Sequence, residues 1–212
     1  MSKIIETEVF EYDELDERAK EIARAWFSQH YPEFEWWDDC YERIKDVGEI
    51  LGFEFDKKRD SIAAYFDTDR GAYFAFHGGW TFKAGATKAI RAYDPKDDEL
   101  HRIARELFKA ARRTCWNVSA RVRAERNDAS IRVDTDDWFY SPQNELSPLQ
   151  WDARREAQKE IEEAIQEAIQ DFCHWALKLL KAELEYLQSE ENIEEMIRIN
   201  EYTFTKDGRR FK

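Results

Sequence analysis

Residues 114–139 read "TCWNVSARVRAERNDASIRVDTDDWF". Trp116, Val118, Ala120 and Val122 alternate with Asn117, Ser119, Arg121 and Arg123. A period of two predicts a half-buried strand with a polar outer face. "RNDA" at 126–129 is a turn signal, and "SIRVDTDDWF" supplies a returning strand. Helical patterns lie on both sides of this hairpin. The expected fold is therefore α+β, a mixed or antiparallel sheet from separated strands with helices packed on it.

Upstream, "AGATKAIRAYDPKDDELHRIARELFKAARR" (84–113) predicts two helices split at Asp94-Pro95. The second puts Leu100, Ile103, Ala104, Leu107, Phe108 and Ala111 on one face. "FEFDKKRDSIAAYFD" (53–67) reads as a strand pair, and "RGAYFAFHGGWTF" (70–82) as strand, a break at Gly78-Gly79, and more strand. A helix is expected over 35–51, with Trp37, Cys40, Tyr41, Ile44, Val47, Gly48 and Leu51 as its stripe and Gly52 as its stop. Before it, "KIIETEVFEY" (3–12) suggests a first strand. A helix capped by Asp13 should then carry Leu15, Ala19, Ile22, Ala23, Trp26 and Phe27 inward, and Pro32 should end it.

Downstream, "YSPQNELSP" (140–148) is a linker signal. A long helical pattern without Gly or Pro follows, lined by Ala157, Ile161, Ala164, Ile165, Ala168, Phe172, Trp175, Leu179, Ala182 and Tyr186. A helix of about 40 residues exceeds the usual range for a small domain, so it is expected either to kink or to project as an interaction arm, with its stripe open to self-association. "EYTFTKDGRRF" (201–211) closes the chain as a strand with an Asp-Gly turn. Three parts are thus expected: an α+β core (1–147), a long helix or arm (148–190), and a terminal strand or hairpin (191–212).

The 212 residues carry 42% hydrophobic and 15% aromatic side chains, enough to bury a core despite 37% charged residues. Cys40, Cys115 and Cys173 have no disulfide or zinc spacing. "MSKIIETEVF" lacks a signal-peptide pattern, and no apolar run approaches the roughly 20 residues of a membrane span. A cytosolic setting with no membrane partner is expected.

Net charge is −13, unevenly spread. Residues 1–56 hold 6 Lys+Arg and 17 Asp+Glu, residues 57–133 hold 17 and 10, and residues 134–212 hold 10 and 19. Either the segments pair internally, or two faces of opposite sign result.

Three chemistries compete for this layout. In "FEWWDDCYER" (34–43), Glu35, Trp36, Asp38, Asp39 and Glu42 offer an acidic contact surface with an aromatic at the border of the apolar stripe. The dipole of the helix favours the two aspartates in its first turns. On the hairpin, Arg121 and Arg123 share one face, and with Arg112, Arg113 and Trp116 they suggest an RNA or DNA surface. The overall charge opposes direct binding of a polyanion. Asp67 and Asp69, and Asp134 and Asp136, each share a face if extended, as oxygen ligands of Mg²⁺ in a nuclease or phosphoryl-transfer enzyme would. Asp-x-Asp is also common at strand ends. His30, His77, His101 and His174 have no partner at metal-binding spacing, and no cofactor motif is present. No catalytic residues and no cofactor are expected.

The segments "VFEYDELDERAKEIARAWF", "FEWWDDCYERIKDVGEILGFEFD", "AIRAYDPKDDELHRIARELF" and "NEYTFTKDGRRF" resemble a family of small acidic proteins encoded by tailed phages and prophages. Its members are often labelled antitoxin of a toxin–antitoxin stability system. In many relatives "FSGFWSQGDGACF" stands where this chain has "SIAAYFDTDRGAYF". The resemblance implies a non-enzymatic protein that neutralises a host toxin, a CRISPR complex or another defence nuclease, in the cytoplasm of an infected bacterium. It supplies no catalytic residues.

Overall fold

The structure, a computed structural model, describes residues 7–29, 35–57, 61–67, 71–124, 129–135 and 147–211. It is α+β with antiparallel sheets. The chain forms two compact units. The terminal unit joins Met1–Asp39 to Leu180–Lys212, and the central unit is Cys40–Leu179. These boundaries differ from divisions at 147 and 190, because the two chain ends pair with each other.

In the terminal unit, β1 (Phe10–Glu11) pairs antiparallel with β8 (Thr203–Phe204), Phe10 opposite Phe204. Residues 3–6 of the expected first strand lie outside the described residues. A 3-10 turn, Tyr12–Glu14, comes next, so Asp13 is not the helix cap. The cap is Asp16, whose carboxylate accepts from the Ala19 amide at 2.8 Å and opens α1 (Glu17–Ser28). Leu15, Ala19, Ala23 and Phe27 are buried as the spacing predicts, but Ile22 is exposed. Ser189 accepts from the Asn192 amide and starts α6 (Glu190–Ile199), where a terminal strand was expected from 191. Ile193 and Ile197 of α6 join Tyr12, Ala23 and Phe204 in one core cluster. The Asp207-Gly208 turn closes on α1. Gly208 has φ +83°, and a Cβ there would collide with the Ala19 carbonyl.

In the central unit, four strands lie in the order β2 (Phe53–Phe55), β5 (Gly78–Thr81), β6 (Ser119–Ala124), β7 (Ala129–Asp134). All their pairings are antiparallel. β3 (Ile62–Asp67) and β4 (Gly71–Phe76) form a separate hairpin. The break before β5 falls at His77 rather than at Gly78-Gly79. Both glycines are inside the central strand and paired on each side, so their amides are not left open for an anion. At Gly78 a Cβ would strike the Glu54 carbonyl, so close strand approach demands glycine.

α2 (Asp38–Leu51) begins three residues later than its pattern suggests, and buries Cys40, Ile44, Val47 and Leu51. α3 (Ala86–Tyr93) and α4 (Asp98–Arg113) are split at Asp94-Pro95 as expected. α5 (Pro148–Leu187) has 40 residues. Its middle is core. Phe172 stacks on Phe53 at 4.4 Å and meets Phe76 edge-on, and Ile161, Ile165, Ala168 and Trp175 are buried. That part of the stripe is therefore used inside the unit. Past the unit boundary within α5, Ala182 and Tyr186 are exposed.

Candidate functional site

The open face of the four-stranded sheet is the most developed polar surface of the central unit. Alternation sends Ala120 and Val122 into the core and leaves Arg121 and Arg123 exposed. Register then decides their neighbours. Glu54, Gly79, Arg121 and Arg132 sit opposite one another across all four strands. Thr81, Ser119 and Asp134 form the next row, and Arg123 faces Ser130. These side chains line a concave space of ≈630 Å³. Gly79 contributes no side chain to its floor. Directly opposed like charges destabilise a sheet, yet Arg121 and Arg132 are opposed and neither forms an ion pair among the described residues.

The helix arginines behave differently. Arg102 donates to Asp171 at 2.6 Å and Arg113 to Glu160 at 2.7 Å, while Lys178 donates to Glu99 at 2.7 Å. The basic middle of the sequence is thus partly neutralised by α5 across the α4–α5 interface. Of the four arginines that pattern suggested as one surface, Arg121 and Arg123 share the sheet face. Arg112 and Arg113 lie on the last turn of α4 and do not line it. Arg132 belongs to the same basic segment, but a turn at 126–129 would set it opposite Arg123; the observed register, with Ala124 opposite Ala129, sets it opposite Arg121.

Trp116 is not in the strand. It follows α4, whose end has the hydrogen bonds of a Schellman cap: the Trp116 amide donates to the Ala111 carbonyl and the Cys115 amide to the Arg112 carbonyl. Cys115, at φ 51°, fills the position that usually holds glycine. Trp116 is also left-handed, at φ 70°, an outlier for a bulky residue. Its indole stacks on Phe82 at 4.6 Å, meets Phe108 at 5.2 Å, and still leaves 43% of the residue exposed. A second hollow of ≈510 Å³ runs beside Trp116 and Phe82. It shares Thr81, Ser119 and Asp134 with the arginine face, so the two adjoin.

The acidic candidates lie elsewhere. Asp38 and Asp39 occupy the first turn of α2, and both are exposed, as are Glu35 and Glu42. Trp36 and Trp37 are both half-buried, packed edge-to-face at 5.7 Å. Of the carboxylates suggested for a metal, Asp67 ends β3 opposite Gly71 and Asp134 ends β7, on a different sheet. The Asp67 side chain, and Asp69 and Asp136 entirely, lie outside the described residues. Among the described residues no three metal-binding side chains cluster, and no helix is long and apolar enough to cross a membrane.

The terminal unit has a polar network of its own. Glu194 accepts from Tyr12 at 2.9 Å, Arg24 at 2.8 Å and Arg198 at 3.1 Å. Burial alone would raise the Glu194 carboxyl, but these three donors hold it below its ordinary value. Burial, and then the hydrogen bond to Glu194, push the Tyr12 phenol up to about 12.

No curated protein and no solved structure matches the chain. One family, described as a domain of unknown function (DUF8835), matches residues 36–190, well over half of the 212. That span includes the whole central unit and every residue of its arginine face. The chain belongs to the DUF8835 family.

Proposed function

We propose that this protein acts by binding rather than by catalysis. In this reading it is an acidic, phage-encoded inhibitor that occupies a basic surface of a host toxin or nucleic-acid-handling defence protein in the bacterial cytoplasm. The observation that supports it is where the charge sits. The terminal unit holds 10 Lys+Arg and 20 Asp+Glu, a net of −10, against −3 for the central unit with 23 and 26. Arg24 and Arg198 of the terminal unit are tied into the Glu194 network, while Glu17, Glu21, Glu191 and Glu195 are exposed. A surface with a two-to-one excess of carboxylates speeds association with an oppositely charged partner and gives salt-dependent binding. Glu35, Asp38 and Asp39 add exposed carboxylates to that unit, with Trp36 as the adjoining aromatic, and Glu42 is exposed on the central unit.

The test is a titration against purified basic host nucleases and toxins. Inhibition should saturate near one equivalent and weaken as salt rises. Charge reversal at Glu17, Glu21, Glu191 and Glu195 together should slow association at least tenfold. Full target activity at a tenfold excess of the protein, across the panel, would remove the reading.

A further inference from the structure

The central unit carries a surface that an acidic inhibitor does not need. We propose that the open sheet face and the adjoining Trp116 cluster bind single-stranded nucleic acid. Arg121, Arg123 and Arg132 would contact phosphates, and the Trp116 indole would stack under a base. This inference is independent of the inhibitor reading, which rests on the terminal unit.

Three observations converge. First, the three arginines project from one sheet face and form no ion pair among the described residues, whereas Arg102 and Arg113 of the same unit are paired. Two of the three are directly opposed, an arrangement that an anion between them would relieve. Second, a large aromatic is held out of the core at a backbone angle that its own residue type disfavours. Helix capping accounts for Cys115 but not for the left-handed angle of Trp116. Third, the hollows that hold the two features adjoin, with Thr81, Ser119 and Asp134 lining both. A cationic groove with an aromatic platform is the chemistry of single-strand binding, because stacking needs an unpaired base. An acidic peptide would satisfy the arginines but has no use for the indole. Glu54 and Asp134 border the arginines, so affinity should be modest and the backbone path narrow.

The experiment is fluorescence anisotropy of the full chain with a labelled oligothymidylate of about 15 nucleotides, at roughly 20 to 200 mM salt. Single strands lose about 0.7 in log–log salt slope per phosphate contact, so three arginines predict a slope near −2. The double variant Arg121→Ala, Arg132→Ala should flatten the slope by about 1.4. Trp116→Leu should weaken binding roughly 5- to 150-fold at unchanged slope, with Trp116→Tyr recovering part of it. Arg155→Ala, on an exposed turn of α5, should change nothing. Because the arginine variants are fully surface-borne, they test the site even if Trp116→Leu disturbs folding. Four results would overturn the proposal: no binding at 20 mM salt, an unchanged slope in the arginine double variant, tighter binding to a duplex of equal length, or equal binding to polyglutamate. Partner inhibition should survive in the arginine variants, because the inhibitor reading rests on the terminal unit.

Discussion

The two units use charge in opposite ways. The terminal unit turns two arginines toward its Glu194 network and presents carboxylates to solvent. The central unit pairs cations and carboxylates between α4 and α5, and leaves three arginines on a sheet face. A whole-chain charge of −13 describes neither surface. The lesson is that long-range repulsion of a polyanion, argued from the total, belongs mostly to the terminal unit. Local recognition has to be argued from the sheet.

The largest effect should come from the core that makes the arginine face possible. Phe172 is fully buried, stacked on Phe53 and edge-on to Phe76. Phe172→Ala should cost about 3–5 kcal/mol by the lost burial and the cavity left behind. Urea unfolding monitored in the central unit would measure it. A loss below about 1 kcal/mol would mean that α5 is not the helix that holds the sheet.

The Glu194 network offers a smaller and pH-dependent contrast. Glu194→Gln removes a charge that accepts three hydrogen bonds, and should cost about 1–2 kcal/mol at neutral pH. Because the folded carboxyl titrates below its ordinary value of 4.5, its contribution is present above that pH and is lost as pH falls through the lower, folded value. Wild type and variant should therefore converge in strong acid. At the alkaline end the sign reverses. The phenol of Tyr12 rises from 10.0 to about 12, so its contribution holds below 10 and is lost as pH climbs toward 12. In Glu194→Gln the late tyrosine titration should move down, since the carboxylate that adds to the effect of burial is gone. An acid limb identical in both proteins would show that the network does not report on the terminal unit.

Much of this was legible in the residues. The hairpin at 119–134, the split at Asp94-Pro95 and the length of α5 follow from period, turn chemistry and the absence of breakers. What was not legible depended on tertiary context. Asp13 and Asp16 are both acceptable caps, and only the pairing of β1 with β8 takes Asp13 into a preceding turn. α6 has its cap in Ser189 and its stripe in Ile193 and Ile197, but so few apolar positions beside a strand signal do not separate helix from strand. Trp116 fits the alternation of β6, but a helix cap takes it out of the strand. For the site, sequence alone placed Arg121 and Arg123 on one face. It could not separate them from Arg112 and Arg113, since that separation rests on the last turn of α4 lying off the sheet face and, for Arg113, on the reach of Glu160.

That separation is the smallest effect and the sharpest test of the comparison. The Arg113–Glu160 pair is close, at 2.7 Å, but both side chains are about half exposed, 44% and 57%. An exposed pair of this kind contributes about 0–1 kcal/mol, because water already solvates each charge and salt screens the attraction. Arg113→Ala should thus shift the unfolding midpoint barely outside error, and less at high salt. Its effect on oligonucleotide binding should be nil, and the salt slope should stay where it was. Arg132→Ala should do the reverse: relief of an opposed like-charge pair leaves stability unchanged or slightly raised, while the slope falls by about 0.7. If Arg113 lowered the slope as much as Arg132 did, the helix and sheet arginines would be one surface after all. The division between cations that hold α5 and cations that face a ligand would then be lost.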